Sequence, residues 1–231
     1  MRAEPQAARR GRWHRAFPLL SVLDALAAAA REWRVPAMEL VAAQSGDPFR
    51  VLVGTLLSLR TRDATTLSAL ARLTALAPDA PALARTAPAA VAAAIRPVAF
   101  HRVKAERLVA LAGLLCERHG GAVPADRAAL LALPGVGPKT AALTLQLGFG
   151  RPAVCVDTHV HRILNRLGAL HSPTPAVTEA LLRRHLPQER WNAVNPVLVA
   201  FGQTLCTPLS PWCSRCPVAA DCRRVGVGRR R

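Results

Sequence analysis

Tyrosine is missing altogether, methionine occurs twice, and all aromatic residues together make up only 4% of the 231 residues. So few rings disfavour a general binder of single-stranded nucleic acid built on stacking platforms, and no step can call on a phenol. Acidic residues are also scarce. The 14 carboxylates face 31 basic side chains, a net charge of +17, which points to a polyanionic partner rather than a small metabolite. Long apolar runs are wanting too: Ala25–Ala30 and Ala87–Ile95 stop at Asp24, Arg31, Thr86 and Arg96, well short of the ~18 residues of a membrane helix. No membrane partner is expected. The last scarcity is lysine, since 29 of the 31 basic residues are arginine and only Lys104 and Lys139 carry an amine (31 − 2 = 29).

Alternating strands of useful length are lacking, whereas alanine and leucine recur at helical spacing almost throughout, so the chain reads as all-α. Asp47-Pro48 is a start signal, a capping acid followed by proline, and Phe49, Leu52, Val53, Leu56 and Leu57 follow as an apolar stripe. A long helix is expected over Arg102–Glu117, with Val103, Leu108, Leu111 and Leu115 inward and Gly120-Gly121 as its stop. Between these, Ala77–Pro97 reads as short helices broken at prolines. Further helices are expected over Pro124–Leu133, Pro138–Leu147, Thr158–Leu167, Ala176–His185 and Trp191–Leu205. The opening residues 1–15 are arginine-rich and lack the apolar core of a secretory signal; they read as a disordered basic arm.

Six cysteines are present, and four of them fall within the seventeen residues from Cys206 to Cys222, with Cys116 and Cys155 each alone. That is not the pattern of a secreted disulfide framework, and a reducing, cytoplasmic compartment fits best. Cys206-x6-Cys213-x2-Cys216-x5-Cys222 places four thiolates in one short loop, enough to close around tetrahedral zinc or an iron–sulfur cluster; chemistry alone does not choose between them. Arg215, Arg223 and Arg224 stand beside the loop, so a metal there would fold a basic surface suited to phosphate.

Two further stretches carry chemistry. In Leu133-Pro-Gly-Val-Gly-Pro-Lys-Thr-Ala141, the residues Gly135, Val136 and Gly137 form a tight turn between helices, with Pro138 opening the second. Unpaired amides and the positive end of a helix there suit an anion, most simply a DNA phosphate. Arginine would serve phosphate equally well. Lys139 differs in that it can give up its proton and attack as a free amine. Downstream, Val154-Cys155-Val156-Asp157-Thr158-His159-Val160 ends an apolar approach in Asp157, placed to cap a helix with Val160, Ile163, Leu164 and Leu167 on its buried side. Such a carboxylate is either a plain cap or also the group that stabilises a cationic sugar and orients a nucleophile.

LPGVGPKTA followed by VDTHVHRI resembles the helix-hairpin-helix motif and catalytic aspartate of the endonuclease III family of DNA glycosylases, and the resemblance runs from about Asp47 to Cys222. It implies two helical domains with a DNA-binding cleft between them: a six-helix barrel carrying the hairpin over residues 41–151, and an iron–sulfur domain made from residues 16–40 and 152–231. It implies a monomer acting on double-stranded DNA with a damaged base or abasic site. The Lys139 amine would attack C1′ of a flipped nucleotide and expel the base, the Schiff base would undergo β-elimination, and Asp157 would assist. The cysteine spacing matches the family's [4Fe-4S] loop. The plugs that fill the gap left by a flipped base would be Arg60 in Leu59-Arg60-Thr61-Arg62-Asp63, Phe100 in Phe100-His101-Arg102, and His159.

Three positions depart from the common family pattern. Arg60 stands where many relatives have glutamine, Phe100 where leucine is common, and Pro138 where arginine precedes the lysine. The wedge is thereby larger and more cationic, unless Phe100 is an ordinary core aromatic and Arg60 a solvated or phosphate-bound side chain. A monofunctional mismatch or alkylbase glycosylase is the alternative enzyme; the adenine-mismatch branch shares the aspartate and the cluster but lacks the hairpin lysine. A noncatalytic lesion binder would hold an abasic-site analogue without cutting.

Overall fold

The computed structural model describes residues 11–33 and 35–231. In chain order the elements are β1 (Arg12–Trp13), α1 (Leu19–Ala29), α2 (Ala37–Ser45), α3 (Pro48–Ser58), α4 (Asp63–Leu76), α5 (Ala80–Arg85), α6 (Pro88–Ala94), α7 (His101–His119), α8 (Arg127–Leu131), α9 (Pro138–Leu143), α10 (Thr158–Leu167), β2 (Leu170–His171), α11 (Pro175–His185) and α12 (Trp191–Thr204). Helices dominate, as the sequence predicts. The strands are two residues each and pair antiparallel, Arg12 with His171 and Trp13 with Leu170. Among the described residues no helix is long and apolar enough to cross a membrane.

The chain separates into two compact units, Pro36–Ala153 and a discontinuous one made of the residues up to Val35 with Val154–Arg231. In the first, α3 is the central element. Asp47 caps it by accepting from the Phe49 amide at 2.9 Å. Rather than showing one apolar stripe, α3 is buried on all sides from Val51 to Leu57, while Phe49 lies half-buried at its start. A helix apolar all round belongs in the interior, and α2, α4, α7 and α9 pack on it. Gly54 makes the crowding possible: a Cβ there would stand 2.9 Å from Met38 Cε and 3.0 Å from Leu70 Cδ2.

The prolines of Ala77–Pro97 do divide that stretch into α5 and α6, both of which pack against α7. Helix α7 buries Ala105, Leu108, Leu111, Ala112 and Leu115, and Gly120, in the left-handed region at φ 60°, ends it. Val103 was expected inward and is 45% exposed. At 3.6 residues per turn it lies about 80–140° round α7 from Leu111, Leu115 and Leu108, on the flank of that face rather than within it. Helix α9 is also shorter than expected. After Leu143 the chain widens into a π-turn, Thr144–Gly148, whose Gly148 lies against the Pro48 backbone at the start of α3.

In the second unit α12 packs on α1 and α10. Its core joins Val22 and Leu26 of α1 to Val160, Ile163 and Leu164 of α10 and to Leu182, Leu198 and Phe201. Of the basic arm expected over residues 1–15, residues 1–10 lie outside the described residues. Arg12 and Trp13 belong to the fold, because Trp13 stacks on His185 with ring centres 5.1 Å apart and the His14 amide donates to Ala169 O.

Candidate functional site

The hairpin between α8 and α9 is built as its glycines require. Gly135 takes φ +80°, a conformation costly for any residue with a Cβ, and lies over Leu56 and Arg107, so that the turn rests on α3 and α7. Val136 is buried and its amide donates to Leu133 O at 3.2 Å, closing the turn. Gly137 then caps α9, accepting from the Ala141 amide, with Pro138 as the first helical residue. Lys139 follows, half-buried in the first turn of α9, with Gly135 exposed and Gly137 half-buried ahead of it.

Arg60 and Phe100 belong to the same unit and come together. Both are exposed, and the Arg60 guanidinium lies over the Phe100 ring, 5.1 Å from its centre. Phe100 is 59% exposed, so it is not a core aromatic. Each takes φ 59°, which leaves Arg224 as the remaining non-glycine residue at positive φ among those described. The sequence gives no sign of this: neither position holds glycine, asparagine or aspartate, the residues that favour the left-handed region.

In the other unit Asp157 is buried and caps α10 in fact, its Oδ1 accepting from the His159 amide at 2.9 Å and the Val160 amide at 3.0 Å. His159 is half-buried, and its Nδ1 lies 3.3 Å from an Arg162 guanidinium nitrogen. That arginine also donates to Cys206 O at 2.8 Å, so α10 carries the capping aspartate and a tie to the cysteine loop on one element.

Cys206, Cys213, Cys216 and Cys222 all line one pocket, with Leu167, Phe201, Leu205 and Val227 as its apolar wall. No three His, Cys, Asp or Glu side chains among the described residues converge as the ligands of a single ion do; the four thiols ring the pocket instead. Arg166, buried, donates from Nη1 to Cys206 Sγ at 3.3 Å and to Thr207 O, and from Nη2 to Pro208 O. Burial pushes the Cys216 thiol up to about 11 and raises Cys222 as well. Four sulfurs around an apolar hollow, one already accepting from a fixed guanidinium, are a donor set that fits an iron–sulfur cluster held by thiolates. Arg162 and Arg166 were not foreseen from the sequence, although their i, i+4 spacing on α10 marks a shared face.

The HhH-GPD superfamily of base excision DNA repair proteins matches residues 53–188. Endonuclease III of Thermotoga maritima is 44% identical over 185 residues, covering 79% of this chain and 87% of that protein. Endonuclease III homolog 1, chloroplastic, of Arabidopsis thaliana is 39% identical over 185 residues, and there the chain spans 75% of itself but 48% of the relative. Among solved structures, a trapped Endonuclease III–DNA covalent intermediate superposes with a TM-score of 0.79 at 29% identity, over 89% of this chain and 94% of that one. Helical fold, glycine hairpin and sequence identity along most of the length agree, and the chain belongs to the endonuclease III family within that superfamily.

Proposed function

We propose that this protein is a bifunctional DNA glycosylase and abasic-site lyase that removes oxidised pyrimidines from duplex DNA in base excision repair. The observation that carries the reading is Lys139, an amine in an otherwise arginine-rich chain, set in the first turn after the Gly135–Gly137 hairpin. The Lys139 Nζ lone pair forms a bond to C1′ as the glycosidic electron pair leaves with the base, which is protonated as it departs. The sugar opens to an iminium, loss of a proton from C2′ expels the 3′ phosphate, and water then frees the amine. Asp157, held at the start of α10 by two amides, offers a carboxylate to the positive charge that develops on the sugar. The family resemblance to an enzyme trapped on DNA as a covalent intermediate supports an amine of this kind.

Gly135, Val136 and Gly137 would bring backbone close to a phosphate, and Arg60, Phe100 and His159 would occupy the space of the flipped nucleotide. The four cysteines would hold a [4Fe-4S] cluster, which supplies a structural clamp for the basic loop around Arg215, Arg223 and Arg224. The test is to mix wild type and Lys139→Gln with a duplex carrying one oxidised pyrimidine, in borohydride. Wild type should release base, nick the strand and leave a covalent adduct, while Lys139→Gln binds and leaves none. An adduct that survives the substitution removes Lys139 from the mechanism, and tight binding without base release marks a noncatalytic lesion binder.

A further inference from the structure

The chain's other lysine has no place in the chemistry above, yet its surroundings are as specific as those of Lys139. Lys104 lies one turn into α7 and reaches back to the end of α3. Its Nζ donates to Leu57 O at 2.8 Å, to Leu59 O at 2.7 Å and to the Thr61 hydroxyl oxygen at 3.4 Å. Carbonyls at a helix C-terminus lack partners within the helix and carry its negative end, so an ammonium there is doubly favoured. The same Thr61 Oγ1 accepts from the Ala99 amide at 3.3 Å, and the Lys104 amide donates to Phe100 O at 3.0 Å. Lys104 stands in the first turn of the helix that Phe100 opens, so its side chain ties that helix start to the segment presenting Arg60, and Thr61 joins the same segment to Ala99.

Both of those residues sit in the left-handed region without being glycine, at about 1–2 kcal/mol each, and such conformations persist where the surrounding structure over-determines them. Three oxygens gathered around one point suit a compact ammonium with three donors; a planar guanidinium presents its donors in a fork. This explains why a chain that uses arginine almost everywhere has lysine at this position. Burial lowers the Lys104 amine to about 8, while the three oxygens supply the hydrogen bonds that its charged form would otherwise take from water.

We propose that Lys104 is a positioning residue for base displacement, its ammonium locking the Leu59–Thr61 loop to the Ala99–Phe100 turn so that Arg60 and Phe100 enter the duplex as one preformed wedge. The proposal rests on the glycosylase reading above and concerns the step before chemistry. A preformed wedge matters only when the damaged base must be pulled from a stacked pair, so its loss should spare substrates in which that base is already unpaired.

The experiment compares wild type, Lys104→Met and Thr61→Val on the same oxidised pyrimidine, once paired in a duplex and once in a single-base bubble. Lys104→Met should lower base release from the paired lesion about tenfold or more relative to the bubble, with the loss in kcat rather than KM, and Thr61→Val should show a smaller loss of the same kind. A chemistry-free readout runs beside it: 2-aminopurine fluorescence opposite an abasic-site analogue should rise when wild type binds and stay low with Lys104→Met. Equal losses on both substrates, or no loss on either, overturn the proposal, as does a fluorescence rise unchanged by the substitution. If Lys104→Met does not fold, Thr61→Val decides by the same two readouts. Should wild type release no base from any lesion, the glycosylase reading fails, and the fluorescence comparison still judges the wedge.

Discussion

Replacing Asp157 separates its two roles, because the cap and the chemistry respond differently to the same change. The carboxylate accepts two amides, at 2.9 and 3.0 Å, from a buried position. Asp157→Ala leaves both amides without that acceptor, and loss of a cap of this kind costs about 1–2 kcal/mol. For a chain of this length each kcal/mol moves Tm by roughly 2–4 °C, so the alanine variant should melt about 2–8 °C lower. Asp157→Asn keeps an oxygen in the same place, and asparagine caps about as well as aspartate, so its stability should stay within about 0.5 kcal/mol of wild type. Charge is what it lacks. Base release by Asp157→Asn should therefore fall about a hundredfold or more while its Tm hardly moves. The assay pairs a thermal melt with single-turnover base release from an oxidised-pyrimidine duplex. Base release within threefold of wild type for Asp157→Asn would refute the reasoning, since the carboxylate would then be a cap and nothing more.

Affinity for duplex DNA should fall steeply with salt: contacts to about 4–6 phosphates give a log–log slope near −4 to −5, and a flat response would assign the +17 charge to another purpose. Cys216→Ser should reduce iron content and visible colour in the purified protein by removing one of the four thiols that line the pocket; wild-type protein that carries zinc and no iron would overturn the cluster assignment. Two glycine substitutions should move stability in opposite directions. A Cβ on Gly148 would stand 2.9 Å from Pro48 Cα, so Gly148→Ala should cost about 1–3 kcal/mol in a melt. In Gly113→Ala, inside α7 with nothing within 4 Å of the new Cβ, stability should instead rise by about 0.5–1 kcal/mol.

Local signals carried the sequence reading where the physics is local. Asp47-Pro48, Gly120 and Asp157 mark helix ends through their own side chains or their lack of one, and each stands at a helix end. Spacing assigned Val160, Ile163, Leu164 and Leu167 to the buried face of α10, because a ten-residue helix with one wet side shows its period plainly. Val103 was misplaced for the converse reason: near a helix start the apolar pattern is too short to fix the phase, and the packing of α5 and α6 on α7 sets which side is dry. The positive φ at Arg60 and Phe100 goes with ties between segments about forty positions apart, the Ala99 amide to Thr61 and the Lys104 amine to the Leu57 and Leu59 carbonyls, which no window of sequence contains. Lys104 did have a signal. The scarcity of lysine that singled out Lys139 singles out Lys104 equally, and only the three oxygens around its amine show what it does.

The split make-up of the cysteine-bearing unit shapes how the chain is made and how it tolerates cutting. A ribosome has completed every residue of the Pro36–Ala153 unit before the stretch that Leu19–Ala29 must pack against has begun to emerge. The early segment must wait through more than a hundred residues of synthesis for its partners, and shortening the chain from either end strikes the same folded body.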